Sequence, residues 1–339
     1  MSKLRYISIR DFELKSRTTQ DILLSYQIFG QPIHTAPIVL VIHALTGNSN
    51  ITGINGWWND LIGDSKCIDT NKYTILAFNI PGNGYDNIAD HLIENYSEFS
   101  ARDIAKLFAY GIEQLEIDSI YAIIGGSVGG GIAWELAAFK PDLAQYVIPI
   151  AADWKSTDWV IANCHIQDAI LNHSNKPLAD ARLHAMTLYR TPESFTHKFQ
   201  RSKKNARHFN VESWLDHHGE KLEDRFHLSS YKLMNQLLKS IDIVDERDDF
   251  ESVVQTISSH IHIVTITSDL LFKPEENWDT YRQLKSIKTN VSISEINSIH
   301  GHDAFLIEFE QLSSSLSPFF NSDTSITNEN DTYNYIWNR

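Results

Sequence analysis

The sequence predicts an α/β fold in which a mostly parallel sheet is flanked by helices and interrupted once by a long helical insertion. Three observations carry this. Apolar runs of strand length recur at 37–42, 73–80, 119–124, 145–150, 261–266 and 291–296. Segments of helical spacing follow several of them, the alternation expected of parallel βα units. From Asp158 to Asp242 the strand pattern stops and the chain reads as helical and polar. A length of 339 residues with 42% hydrophobic residues suits one α/β domain carrying such an insertion.

Taken in order, residues 6–29 alternate as antiparallel strands do, with Ile22, Leu24, Tyr26 and Ile28 on one face. The run 37–42 is apolar throughout, as a central strand covered on both faces should be. It leads into His43-Ala44-Leu45-Thr46-Gly47. After the strand at 73–80, Ser100 followed by Asp103 gives a capping-box-like start to a helix. The run 119–124 ends in Gly125-Gly126-Ser127-Val128-Gly129, and the helical spacing of Ile132, Ala133, Leu136 and Ala137 comes directly after it. A strand at 145–150 precedes the insertion, in which Trp159, Tyr189, Phe199 and Trp214 are interspersed. The expected division is a core of 1–151 and 246–320, a helical cap of 152–245 above the C-terminal edge of the sheet, and a polar tail of 321–339. The tail is expected to be mobile.

The segment at Ser127 carries the chemistry. A strand that turns sharply into a helix through G-x-S-x-G lifts a serine hydroxyl out of the sheet and leaves backbone N–H groups free beside it. This is the nucleophile elbow of the α/β-hydrolase fold. Alone, the same glycines could form a tightly packed βα turn or a phosphate cradle. Two residues further along the chain decide between these: Asp269 comes after the run 261–266, and His302 after the run 291–296. Strand ends on one edge of a parallel sheet converge, so Ser127, His302 and Asp269 are the expected triad. The N–H of Leu45 after the first central strand, and that of Val128 after the nucleophile, are the expected oxyanion donors. His43 is expected to be structural because the triad already has its base. His300, two residues before His302, is the decoy imidazole.

A formal charge of −14 disfavours nucleic acid or anionic membrane as partner. We expect no basic run to reverse that balance. Two cysteines, Cys67 and Cys164, are too few for a disulfide scaffold and lack metal-site spacing. The fifteen histidines contain no H-E-x-x-H, so no metal is expected. The start has no apolar signal core and no long apolar run occurs, which predicts a soluble, cytoplasmic protein.

With these residues in hand, the chain resembles the homoserine O-acyltransferases of methionine synthesis, from about residue 20 to 320. His43-Ala44-Leu45-Thr46-Gly47 is similar to that family's H-A-L-T-G loop, and Gly125-Gly126-Ser127-Val128-Gly129-Gly130 to its G-G-S-M-G-G elbow, with Val for Met. Ser268-Asp269-Leu270-Leu271-Phe272 resembles S-D-W-L-F, and Gly301-His302-Asp303-Ala304-Phe305-Leu306 matches G-H-D-A-F-L. In the cap, Val211-Glu212-Ser213-Trp214-Leu215, Gly219, Arg225-Phe226 and Ser230-Tyr231 resemble V-E-S-Y-L…G…R-F…S-Y. The segment after the third strand, Asn79-Ile80-Pro81-Gly82-Asn83-Gly84-Tyr85, departs from the family's richer Cys, Ser and Thr content. The stretch between Ile170 and Ala179 is also shorter than is usual.

The resemblance implies ping-pong transfer of an acetyl group from acetyl-CoA to the hydroxyl of L-homoserine, with no tightly bound cofactor. It implies that Arg182 receives the substrate carboxylate, that Tyr189 lines the same tunnel, and that Asp303 is a partner for the amino group. It also implies a homodimer formed through the cap. The cap and its tryptophans would screen the acyl-enzyme from water. Alternatives are a succinyl-CoA or L-serine specific transferase, a carboxylester hydrolase with the same triad, and a binding protein on an inactive hydrolase scaffold.

Overall fold

The computed structural model describes residues 3–320, so the expectation for the 321–339 tail lies outside the described residues. The first pair of strands, β1 (Arg5–Glu13) and β2 (Thr19–Gly30), is antiparallel and forms one edge of an eight-stranded sheet. Next along the chain come β3 (Ile38–Ile42), two short strands β4 (Ile62–Gly63) and β5 (Ile68–Asp69), and β6 (Thr74–Phe78). Helix α1 (Ala101–Gln114) leads to β7 (Ile120–Gly126), α2 (Val128–Phe139) and β8 (Ala144–Ile150). After the insertion, α8 (Phe250–Thr256), β9 (His260–Ile266), α9 (Pro274–Ile287), β10 (Val291–Ile296) and α10 (Phe309–Phe320) complete the core. The strand order is β1-β2-β6-β3-β7-β8-β9-β10, antiparallel from β1 to β6 and parallel from β6 to β10.

The apolar runs become strands because both faces of the sheet are covered. In β3 every residue is buried. Leu40 and Ile42 join the core cluster on one face, while Val39 and Val41 join the cluster on the other. Only an uninterrupted apolar sequence can satisfy both sides. The start of α1 is fixed as its sequence suggests: the Ser100 hydroxyl caps the Asp103 N–H, and the Asp103 carboxylate accepts from the Ser100 N–H at 2.9 Å. The small sheet of β4 and β5 has no signature in the sequence, since two-residue strands have no period to read.

Five helices stand between β8 and β9 in the stretch expected to be helical: α3 (Asp158–His173), α4 (Pro177–Tyr189), α5 (Pro192–Phe199), α6 (Asn210–Glu223) and α7 (Leu228–Lys239). Helix α4 packs against α3 and α6, and its C-terminal end meets the turn at Gly301–Leu306 after β10. Among the described residues no helix is long and apolar enough to cross a membrane.

Candidate active site

The site is built where the C-terminal ends of β3, β7 and β9 meet the turn after β10. Ser127 sits between β7 and α2 with φ 57° and ψ −127°, a conformation that L-residues rarely adopt and that costs on the order of 1–3 kcal/mol. Its neighbours hold it there. The Ser127 N–H donates to the Ile150 carbonyl at 2.9 Å, and its own carbonyl accepts from Gly130 at 2.8 Å. Gly129 is required by close approach, because a Cβ there would lie 2.4 Å from the Ile42 carbonyl oxygen. The strained turn is what aims the hydroxyl outward.

The Ser127 hydroxyl meets His302 Nε2 at 2.8 Å, and His302 Nδ1 meets Asp269 Oδ2 at 2.7 Å. Asp269 is held in turn: its Oδ1 accepts from the N–H groups of Leu271 at 2.7 Å and Phe272 at 3.0 Å. With Asp269 accepting at Nδ1–H, Nε2 is the lone-pair nitrogen facing the hydroxyl. All three side chains are buried. Burial alone would push the His302 imidazole down. The Asp269 carboxylate, by charge and hydrogen bond, more than reverses this and holds it above the ordinary 6.5. Tyr189, Phe272 and Phe305 surround the imidazole with ring centroids 5.5, 5.9 and 5.6 Å away.

The loop after β3 lies beside the nucleophile. Leu45 and Val128 are both buried, and among the described residues no carbonyl accepts from the N–H of either. His43 takes a structural position. Its Nδ1 donates to the Ala44 carbonyl at 2.8 Å and its Nε2 accepts from the Ile80 N–H at 3.0 Å. Burial lowers it to about 4, so it stays neutral at physiological pH. His300 is likewise engaged elsewhere, accepting from Arg190 Nη2 at 3.2 Å. The segment 79–85 supports this loop from below: the Asn79 side chain accepts from the Ser49 N–H at 2.8 Å and donates to the Ser25 and Ser49 hydroxyls.

The helical insertion supplies the remaining predicted residues. Arg182 and Tyr189 do share a face of α4, with the guanidinium 5.6 Å from the ring centroid. Among the described residues no carboxylate lies within ion-pair distance of Arg182. Asp303 lies close enough for Arg182 to act on it electrostatically. Burial pushes its carboxyl up, and Arg182, His302 and Arg190 partly counter that. Arg190, which the sequence reading did not single out, has Nη1 3.8 Å from Asp303 Oδ2. A small, partly open pocket of about 20 Å³ adjoins the site, bounded by Leu45, Cys164, Gln167, Tyr189, Tyr231 and Leu271. Gln167 lends it a buried Oε1 with no hydrogen-bond partner among the described residues. Among the described residues no group of three or more His, Cys, Asp or Glu is arranged to hold a metal.

Comparison with known proteins places this geometry. The α/β-hydrolase fold family matches residues 37–305. A homoserine O-acetyltransferase of Nostoc punctiforme is 31% identical over 302 residues, covering 81% of this chain and 83% of the relative. The chain belongs to the homoserine O-acyltransferase family of α/β-hydrolase enzymes. A homoserine O-succinyltransferase of Nitrosomonas europaea is also similar, 30% identical over 84% of this chain and 86% of its own. The family therefore includes both donor names at nearly equal distance from this sequence. Among solved structures, homoserine O-acetyltransferase from Bacillus anthracis superposes with a TM-score of 0.86 at 16% identity, over 96% of this chain and 99% of its own. Esterase E22 does so at 0.84 and 15% identity, over 94% and 100%. Architecture is thus common to the family and to esterases.

Proposed function

We propose that this enzyme transfers an acetyl group from acetyl-CoA to the side-chain hydroxyl of L-homoserine by a ping-pong mechanism, as a step of methionine synthesis. His302 Nε2 takes the proton of Ser127 while the serine oxygen attacks the thioester carbonyl. The carbonyl oxygen becomes negative and is held by the N–H groups of Leu45 and Val128. The intermediate collapses, the C–S bond breaks, and the His302 proton leaves with the CoA thiol. The homoserine hydroxyl then gives its proton to His302 and attacks the acyl-enzyme, which returns Ser127 and releases O-acetylhomoserine.

The observation that carries this reading beyond a general esterase is Arg182, a guanidinium from the helical insertion beside Tyr189 with no carboxylate within ion-pair distance among the described residues. Such a group suits the substrate carboxylate, which it can bind in a two-pronged fork. Asp303, close to Arg182 and His302, is the corresponding partner for the ammonium group. We assign residues 152–245 as a cap that holds the acceptor and keeps water out.

The test is release of free CoA from acetyl-CoA and succinyl-CoA, each with L-homoserine, L-serine or no acceptor. Acetyl-CoA with L-homoserine should turn over fastest. Ser127→Ala should lower kcat by about 10⁶ and abolish the acyl-enzyme seen by mass spectrometry. Turnover that ignores the acceptor would make the protein a hydrolase. A Ser127→Ala variant keeping a tenth of the activity would remove the triad from the mechanism.

A further inference from the structure

The acidic balance of the chain is reversed in one place. Between Glu193 and Glu212 there is no acidic residue, and Lys198, Arg201, Lys203, Lys204 and Arg207 fall within this interval. This corrects the expectation that no basic run offsets the charge; the average over the chain hid a local excess. All five are exposed, and none has an ion-pair partner among the described residues. The segment is a fixed hairpin rather than a loose loop. Lys203 bridges Phe209, the Lys204 N–H donates to the His208 carbonyl at 3.0 Å, and the Asn210 N–H to the Ser202 carbonyl at 3.0 Å. Asn205 Oδ1 accepts from the Arg207 and His208 N–H groups at 2.9 and 3.1 Å. Aromatic faces seat three of the cations: Lys198 over Trp214 at 4.9 Å, and Arg201 and Lys203 over Phe209 at 5.6 and 5.2 Å. Like charges held together in this way repel, and an anion relieves that repulsion.

The position of the hairpin relates it to the site. Helix α6 begins beside it and runs for 14 residues, a rise of about 21 Å. Beyond the far end of α6, Arg225 Nη1 donates to the Thr46 carbonyl at 3.0 Å, next to Leu45 in the loop after β3. The hairpin and the proposed oxyanion loop are thus connected through α6, one towards each of its ends. An extended pantetheine arm covers a comparable distance between the thioester and the phosphates of coenzyme A.

We propose that the 198–207 hairpin is the docking site for the nucleotide phosphates of the acyl-CoA donor. This rests on the proposed role of an acyl-CoA as the acyl donor. The 3′-phosphate and diphosphate offer several negative oxygens in a small volume, the pattern that Arg forks and Lys point charges take up.

The experiment uses the full chain and a combined Lys203→Glu, Lys204→Glu, Arg207→Glu variant, with the corresponding Gln triple as the milder change. Two readouts are needed. The first is binding of adenosine 3′,5′-bisphosphate by calorimetry. The second is the ratio of kcat/KM for acetyl-CoA to that for S-acetylpantetheine, which lacks the nucleotide. The wild type should bind the bisphosphate, more weakly as salt rises. In the Glu triple both the affinity and the ratio should fall about tenfold or more, and less in the Gln triple. An unchanged ratio, or equal losses on both thioesters, would overturn the proposal. So would a short RNA that binds the hairpin more tightly than the bisphosphate. If wild-type Ser127 is acylated by neither thioester, the acyl-CoA reading fails on its own terms, and bisphosphate binding still decides whether the hairpin takes nucleotide phosphates.

Discussion

His302 is where burial and charge oppose each other most directly. Burial favours the neutral imidazole, the Asp269 carboxylate favours the cation, and the carboxylate wins. The base must be neutral to accept the Ser127 proton. Acylation, read as kcat/KM for acetyl-CoA, should therefore rise with pH through a midpoint above 6.5 and level off beyond it. Asp269→Asn leaves only the smaller influence of Asp303 to oppose burial, so the midpoint should drop while the plateau falls by about 10⁴. A variant whose midpoint moved upward would contradict this account of the pair. Arg182, in its proposed role, differs from these residues in belonging to one half-reaction only. Acylation needs no acceptor, so Arg182→Ala should leave the CoA burst without acceptor largely intact and weaken the L-homoserine step. Truncating one partner of a desolvated charge pair costs roughly 2–5 kcal/mol. Rapid-quench measurement of the two half-reactions separates this from a structural role, which would damage both alike.

At the scale of elements, the elbow shows how tightly a short sequence can prescribe a backbone. Gly129→Ala would place a methyl 2.4 Å from the Ile42 carbonyl, and β3 and α2 have no slack on either side. We expect a loss of about 1–3 kcal/mol or more, seen as a lower denaturation midpoint. Gly63→Ala in β4 comes closest to the flexible Lys66 side chain at 3.2 Å, meets Thr52 and Asn59 only at ordinary contact distance, and should leave the midpoint close to wild type. The strands, the elbow and the meeting of Ser127, His302 and Asp269 were readable in the sequence because each depends on local pattern plus chain order. Asp269 and His302 needed only to come after the correct strands. Arg190 was not readable: its meeting with Asp303 exists because the C-terminal end of α4 packs on the turn after β10, a contact with no local signature. The β4–β5 pair was missed because so short a strand has no alternation. The basic hairpin was present in the sequence all along, and only averaging concealed it.

For the molecule as a whole, the question is why this scaffold should transfer and not hydrolyse. The fold does not answer it, since an esterase superposes nearly as well as an acetyltransferase, with TM-scores of 0.84 and 0.86. The triad does not answer it either, because water and homoserine need the same base and the same oxyanion donors. What remains is how the acceptor is held and how water is kept away. Effective molarities of about 10⁵ M or more are available to a well-placed acceptor, enough to outcompete bulk water if its carboxylate is anchored. In the proposed reading the anchor is Arg182 and the screen is Tyr189, the one ring around His302 that comes from α4. Trp214, by contrast, packs among Phe195, Phe199 and His218, so it shapes the insertion more than it covers the imidazole. Tyr189→Ala should therefore raise acetyl-CoA hydrolysis relative to transfer, and Trp214→Ala should change that ratio much less. The ratio of acetate to O-acetylhomoserine formed in one reaction measures both. If Tyr189→Ala lost the two activities in equal proportion while staying folded, the ring would be positioning His302, and the exclusion of water would have to come from the loop at 79–85.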